Sequence, residues 1–144
     1  MKQSEIIDKY TNWNAIFEHE QLTESFIEKN HNKSAWYIIC KYQKLSEKLI
    51  DKLKDEIDWT EVCKYQKLSE EFMNDHKNYL NWTQVVIHQK FSEEFVENNL
   101  ENIDLNLLCI FHKLSKEFLS KYKESIKEEL IKIHQIPRSD KLVD

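Results

Sequence analysis

Four lysines, Lys44, Lys67, Lys90 and Lys113, recur every 23 residues. A regular row of ammonium groups attracts carboxylates or phosphates along a line. Helical spacing puts Tyr37, Lys41, Lys64, Ile87 and Ile110 on the same outward face. Together these residues form a candidate binding surface for an acidic partner. The competing reading is a solvated face whose lysines pair with glutamates of the next repeat, each pair contributing little. A second row joins an aromatic or histidine to a glutamine or its substitute: His19-Glu20, Tyr42-Gln43, Tyr65-Gln66, His88-Gln89, Phe111-His112 and His134-Gln135. It reads either as a ligand-facing row or as a ladder of amides satisfying backbone groups between helices. Its regular recurrence favours the ladder.

Catalysis and metal binding find less support. His19, His88 and His134 hold one position in non-adjacent copies, and there is neither an HExxH pattern nor a Cys-His cluster. Cys40, Cys63 and Cys109 are odd in number and lack a CxxC pair, so they read as small buried thiols in a reducing compartment. A nucleophile needs a base and an oxyanion site, and no motif marks either. The expectation is a chain without metal, cofactor or enzymatic activity.

The elements that position these residues follow from composition and period. The 144 residues carry a formal net charge of −5, no glycine and a single proline. Without glycine there is no phosphate loop of the Gly-rich kind, no dinucleotide fingerprint and no nucleophile elbow. An all-β fold, whose turns lean on glycine and proline, is disfavoured as well. Trp13, Trp36, Trp59 and Trp82 stand 23 residues apart, and the register continues through Leu105 and Glu128. Counted from the tryptophan as position 0, position 3 is Ile16, Ile39, Val62, Val85, Leu108 and Ile131, apolar in every copy. Position 10 is Thr23, Ser46, Ser69, Ser92 and Ser115; position 13 is Phe26, Leu49, Phe72, Phe95 and Phe118.

Each copy therefore predicts two short helices. The first opens at the tryptophan after an N-cap: Asn12, Asp58, Asn81 or Asp104. The second opens after the Thr or Ser of position 10, followed by acids that complement the helix dipole. Apolar pairs such as Ile57 with Val62 and Leu68 with Met73 have hydrophobic-staple spacing. Helices this short gain stability only by stacking on neighbours. The expected fold is all-α: an α-solenoid of short antiparallel helix pairs with about five full repeats and terminal caps. One domain is expected over 1–144, with an N-terminal cap (1–12), five repeats (13–127) and a C-terminal cap and tail (128–144). Trp13, Trp36, Trp59, Trp82, Phe26, Phe72, Phe95 and Phe118 are the expected repeat core. Ile136-Pro137 disfavours further helix, and Arg138 to Asp144 reads as a loose tail.

The runs Trp59 to Phe72 (WTEVCKYQKLSEEF), Trp36 to Ser46 (WYIICKYQKLS) and Trp82 to Phe95 (WTQVVIHQKFSEEF) resemble a tandem repeat of large DNA viruses and bacteriophages. Its usual form is near D-W-x-x-I-x-x-Y-Q-x-L-S-E-x-F-I, and the resemblance covers about residues 12 to 135. The fifth copy departs from it at Leu105, Phe111 and His112. The resemblance implies a viral or phage accessory protein that binds a host protein, with countering of host defence as one version. It offers no catalytic residue to carry over. The alternative is binding of nucleic acid or a small anionic nucleotide along the lysine edge, though net −5 argues against general affinity for phosphate backbones. No stretch is long and apolar enough for a membrane span, so the chain reads as soluble and cytoplasmic, in the host cell if viral. Self-association through imperfectly capped end helices is a further expectation.

Overall fold

The computed structural model describes residues 3–9 and 12–135. The expectations for Ile136-Pro137 and for 138–144 lie outside the described residues. The protein is all-helical, with twelve α-helices and no strand among the described residues. The first-helix series is α2 (Trp13–His19), α4 (Trp36–Tyr42), α6 (Trp59–Tyr65), α8 (Trp82–His88), α10 (Leu105–Phe111) and α12 (Glu128–Gln135). The second-helix series is α3 (Glu24–Asn30), α5 (Glu47–Lys52), α7 (Glu70–Asp75), α9 (Glu93–Glu97) and α11 (Lys116–Lys121), preceded by α1 (Gln3–Lys9).

Capping sets these boundaries. The side chains of Thr23, Ser46, Ser69, Ser92 and Ser115 each accept from the backbone N–H three residues on, the expected N-cap bond. Asn12, Asp58 and Asp104 do the same for α2, α6 and α10. The second repeat has Ala35 at this place, which has no oxygen to offer, and a 3-10 turn (Lys33–Ala35) leads into α4 instead.

Two compact units form, residues 1–81 and 82–144. In the first, α1 packs on α2, α2 on α4, and α4 on α6. In the second, α8 packs on α10 and α10 on α12. Both bury the same positions of the repeat. Position 3 and its neighbour are buried in every repeat from Ile16-Phe17 to Leu108-Cys109, as are positions 13 and 14 from Phe26-Ile27 to Phe118-Leu119. Each such side chain contributes roughly 1.5–3 kcal/mol.

The tryptophan column is less uniform than expected. Trp36 is fully buried, and its Nε1 donates to the Glu56 carbonyl at 3.1 Å. Trp59 and Trp82 are half-buried and lie against Phe72 and Phe95. Trp13 packs on Phe17 and Phe26 yet stays 38% exposed, a correction to its placement in the core. It belongs to the first repeat, which has only α1 before it.

The first unit turns without glycine through one recurring side chain. No described residue has positive φ. The first helices end in an extended residue, Glu20, Gln43 or Gln66, whose N–H bonds back to position 3 of its own helix. That exit leaves helix-end carbonyls open. Gln43 closes them for the repeat before it: its Nε2 donates to the Phe17 carbonyl at 2.6 Å and the Glu20 carbonyl at 2.7 Å, and its Oε1 accepts from Leu22 N–H at 3.1 Å. Gln66 repeats the arrangement on the Cys40 carbonyl, the Gln43 carbonyl and Leu45 N–H, at 2.6, 2.8 and 2.8 Å. Both glutamines are 5% exposed, so the amide row is a structural ladder here.

Replacing Gln66 by Leu leaves two carbonyls and one N–H buried without these partners. We expect urea unfolding to show a loss of about 3 kcal/mol, against under about 0.5 kcal/mol for the exposed Lys67→Ala. Equal effects of the two substitutions would refute the ladder as a source of stability.

Candidate binding surface

A second ladder decides what the lysine row faces. Glu24 accepts from Ser46 twice, from its N–H at 2.6 Å and its hydroxyl at 3.0 Å. Glu47 accepts from Ser69 N–H at 2.6 Å. In the second unit Glu93 binds Ser115 through N–H and hydroxyl, at 2.6 and 2.8 Å. Ser46, Ser69 and Ser115 thus each cap their own helix and dock onto the glutamate one repeat earlier. The recurrence of Glu at position 11 behind Ser at position 10 was the available signal. The helix dipole alone also accounts for acids at that position, so the sequence does not single out the serine contact.

These glutamates are therefore not the partners of the lysine row. Lys44, Lys67, Lys90 and Lys113 are exposed, and among the described residues none forms an ion pair. The cross-repeat ion pairs lie elsewhere, as Lys52 with Glu28 and Lys121 with Glu97. Both are on the surface, where such pairs add little.

The first unit brings Tyr37, Lys41, Lys44, Lys64 and Lys67 to one side of α4 and α6 and adds Tyr42 and Tyr65. Tyr37 meets Tyr65 edge-on with ring centroids 5.9 Å apart. The Lys41 ammonium lies 5.5 Å from the Tyr37 ring centre and 5.0 Å from that of Tyr42; Lys64 lies 5.0 Å from that of Tyr65. Resting on that ring leaves Lys64 half-buried. The neighbouring Tyr65 hydroxyl, and then the Lys41 ammonium, pull the Tyr37 hydroxyl below the ordinary phenol pKa. Hydrogen bonding to the Tyr42 hydroxyl, and then to that of Tyr37, raises Lys41 in turn. An open cleft of about 300 Å³ lies here, lined by Lys41, Lys44, Lys67, Tyr42 and Tyr65 above the two clamp glutamines. No carboxylate lines it.

In the second unit the position that holds Lys41 and Lys64 becomes isoleucine. Ile110 is 62% exposed, and Ile133 and Phe111 are each 49% exposed. Ile87 is half-buried rather than exposed as expected. Sequence reading missed Ile133, although it continues the column of Ile87 and Ile110, and it read Phe111 only as part of the row that holds Tyr42 and Tyr65. Lys44, Lys67, Lys90 and Lys113 each lie two residues past the end of a first helix, a correction to the helical spacing that put them on one face with the position of Ile110.

The remaining reactive side chains serve the fold. Nδ1 of His76 lies 2.9 Å from the Phe72 carbonyl oxygen, and its Nε2 lies 2.9 Å from Asp51. That contact, then Lys54, holds the Asp51 carboxyl below its ordinary pKa. His112 takes the clamp position of the fifth repeat and reaches the Val86 carbonyl through Nε2 at 2.6 Å. Among the described residues no three His, Cys, Asp or Glu side chains gather as a metal site, and no helix is long and apolar enough to cross a membrane. All three cysteines are buried and unbridged. Burial pushes the Cys40 thiol up to about 12 and the Cys63 thiol to about 11, and raises Cys109. No protein-family model, curated protein or solved structure matches the chain.

The raised thiol values make these cysteines poor nucleophiles. At a pH of about 8 the folded chain should react slowly with a disulfide reagent, and all three thiols should react promptly in denaturant. A thiol that reacts in the folded chain as fast as in denaturant would show that the buried positions open readily.

Proposed function

We propose that the chain is a non-catalytic binding module that holds an acidic protein partner. One observation carries this reading: Glu24, Glu47 and Glu93 are engaged by cap serines, and Lys44, Lys67, Lys90 and Lys113 meet solvent without an ion pair among the described residues. The second unit, which carries Lys90 and Lys113, also exposes Ile110, Ile133 and Phe111. Exposed apolar side chains and unpaired cations on one unit suit a protein surface bearing both apolar and acidic residues. They suit a bare phosphate backbone less well. With the resemblance to viral and phage repeats, the reading becomes an accessory protein that binds a host protein in the host cytoplasm, with countering of host defence as its sharpest version.

The test is an affinity capture from host lysate with and without nuclease, repeated with Lys90→Glu/Lys113→Glu and with Ile110→Ser. We expect a nuclease-resistant protein whose capture falls about tenfold or more in the charge-reversed variant and also falls in Ile110→Ser. Capture that is abolished by nuclease, or indifferent to both variants, would overturn the proposal.

A further inference from the structure

The cleft between α4 and α6 has a chemistry of its own, independent of the isoleucine-bearing face of the second unit. Three of its lining residues are lysines and two are tyrosines, and none is acidic. Lys41 and Lys64 are positioned by aromatic rings and not by carboxylates. A neutral ring holds an ammonium in place through its quadrupole without cancelling its charge. The charges are thus placed in advance and remain available to an anion. Lys44 and Lys67 add two more at equivalent positions of adjacent repeats, without ion-pair partners among the described residues.

The rest of the cleft limits what that anion is attached to. The amides of Gln43 and Gln66 both donate and accept within the backbone ladder. They leave the floor little polar recognition to offer. What remains is a concentration of ammonium groups, each a compact charge suited to phosphate, beside the rings of Tyr42, 39% exposed, and half-buried Tyr65. Flat bases stack on such rings whatever their sequence. A volume of about 300 Å³ falls at the small end of ligand sites.

We infer that this cleft binds a nucleotide, its phosphate held by Lys41, Lys44 and Lys67 and its base stacked on Tyr42 or Tyr65. The nucleotide is either free or part of a single strand, and the two share this chemistry.

Calorimetry and thermal shift on the full chain test it, with adenosine monophosphate, adenosine, inorganic phosphate and oligothymidylate of about ten nucleotides as probes. We expect the monophosphate or the oligonucleotide to bind and to weaken between about 50 and 200 mM salt. Adenosine and inorganic phosphate should each bind less well than the monophosphate. Tight binding of the oligonucleotide alone supports the cleft with a strand as its source; binding of the monophosphate supports a free nucleotide. Lys44→Ala/Lys67→Ala should cost about tenfold in affinity, as should Tyr42→Leu, with helix content and the urea midpoint unchanged. Lys90→Ala/Lys113→Ala in the second unit should leave nucleotide binding as it was. Binding of neither nucleotide form, binding indifferent to Lys44 and Lys67, or inorganic phosphate matching the monophosphate would overturn the inference. Because the protein-partner reading is probed at Lys90, Lys113 and Ile110, either can fail while the other stands.

Discussion

The first unit rests on a side-chain amide that stands in for glycine. A helix end needs its last carbonyls satisfied and its chain redirected, and a left-handed glycine commonly does both. This chain has no glycine. It leaves α2, α4 and α6 through an extended residue and has the glutamine of the next repeat bind the open groups of α2 and α4. Turn and interface are therefore one device. A repeat's exit is complete only when its neighbour is folded against it, which ties two helices of seven residues each into a cooperative pair.

The glutamate–serine ladder has the opposite consequence at the surface. An N-cap serine already uses its hydroxyl oxygen on its own helix. Its free N–H and hydroxyl proton are the natural donors to a carboxylate one repeat earlier. Charge-assisted bonds of this kind are stronger than exposed ion pairs, so the glutamates are drawn to the serines and away from the lysines. A chain of net charge −5 thereby presents local faces that are positive, and the overall charge is a poor guide to its surface.

Most of the helix plan was readable because it is written locally. Cap residues, staples and the period of 23 place all six first helices and five second helices. The buried positions follow from apolar identity in every copy. What was not readable depends on neighbours. Nothing in the spacing says whether the amide of Gln43 faces a ligand or the Phe17 carbonyl. Glu24 looks like a helix-dipole acid until Ser46 is placed beside it. Trp13 and Trp36 share one position, yet only the latter is covered on all sides. The candidate surface was legible as lysine spacing, while the tyrosine lattice that orders Lys41 and Lys64 needed adjacent helices in three dimensions.

The direction of the glutamine clamp bears on how such a chain could lengthen in evolution. The Gln43 and Gln66 clamps each join a side-chain amide in one repeat to backbone carbonyls and an N–H in the repeat just before it. Duplicating a whole 23-residue segment of the gene would copy both halves together, so a lengthened chain would inherit a complete set of joints. The fifth repeat shows how far the rule can relax, since His112 reaches the Val86 carbonyl alone where Gln66 makes three bonds. The other departure is Glu20, in the first repeat, so both substitutes stand in the outer of the five repeats and the glutamines between them.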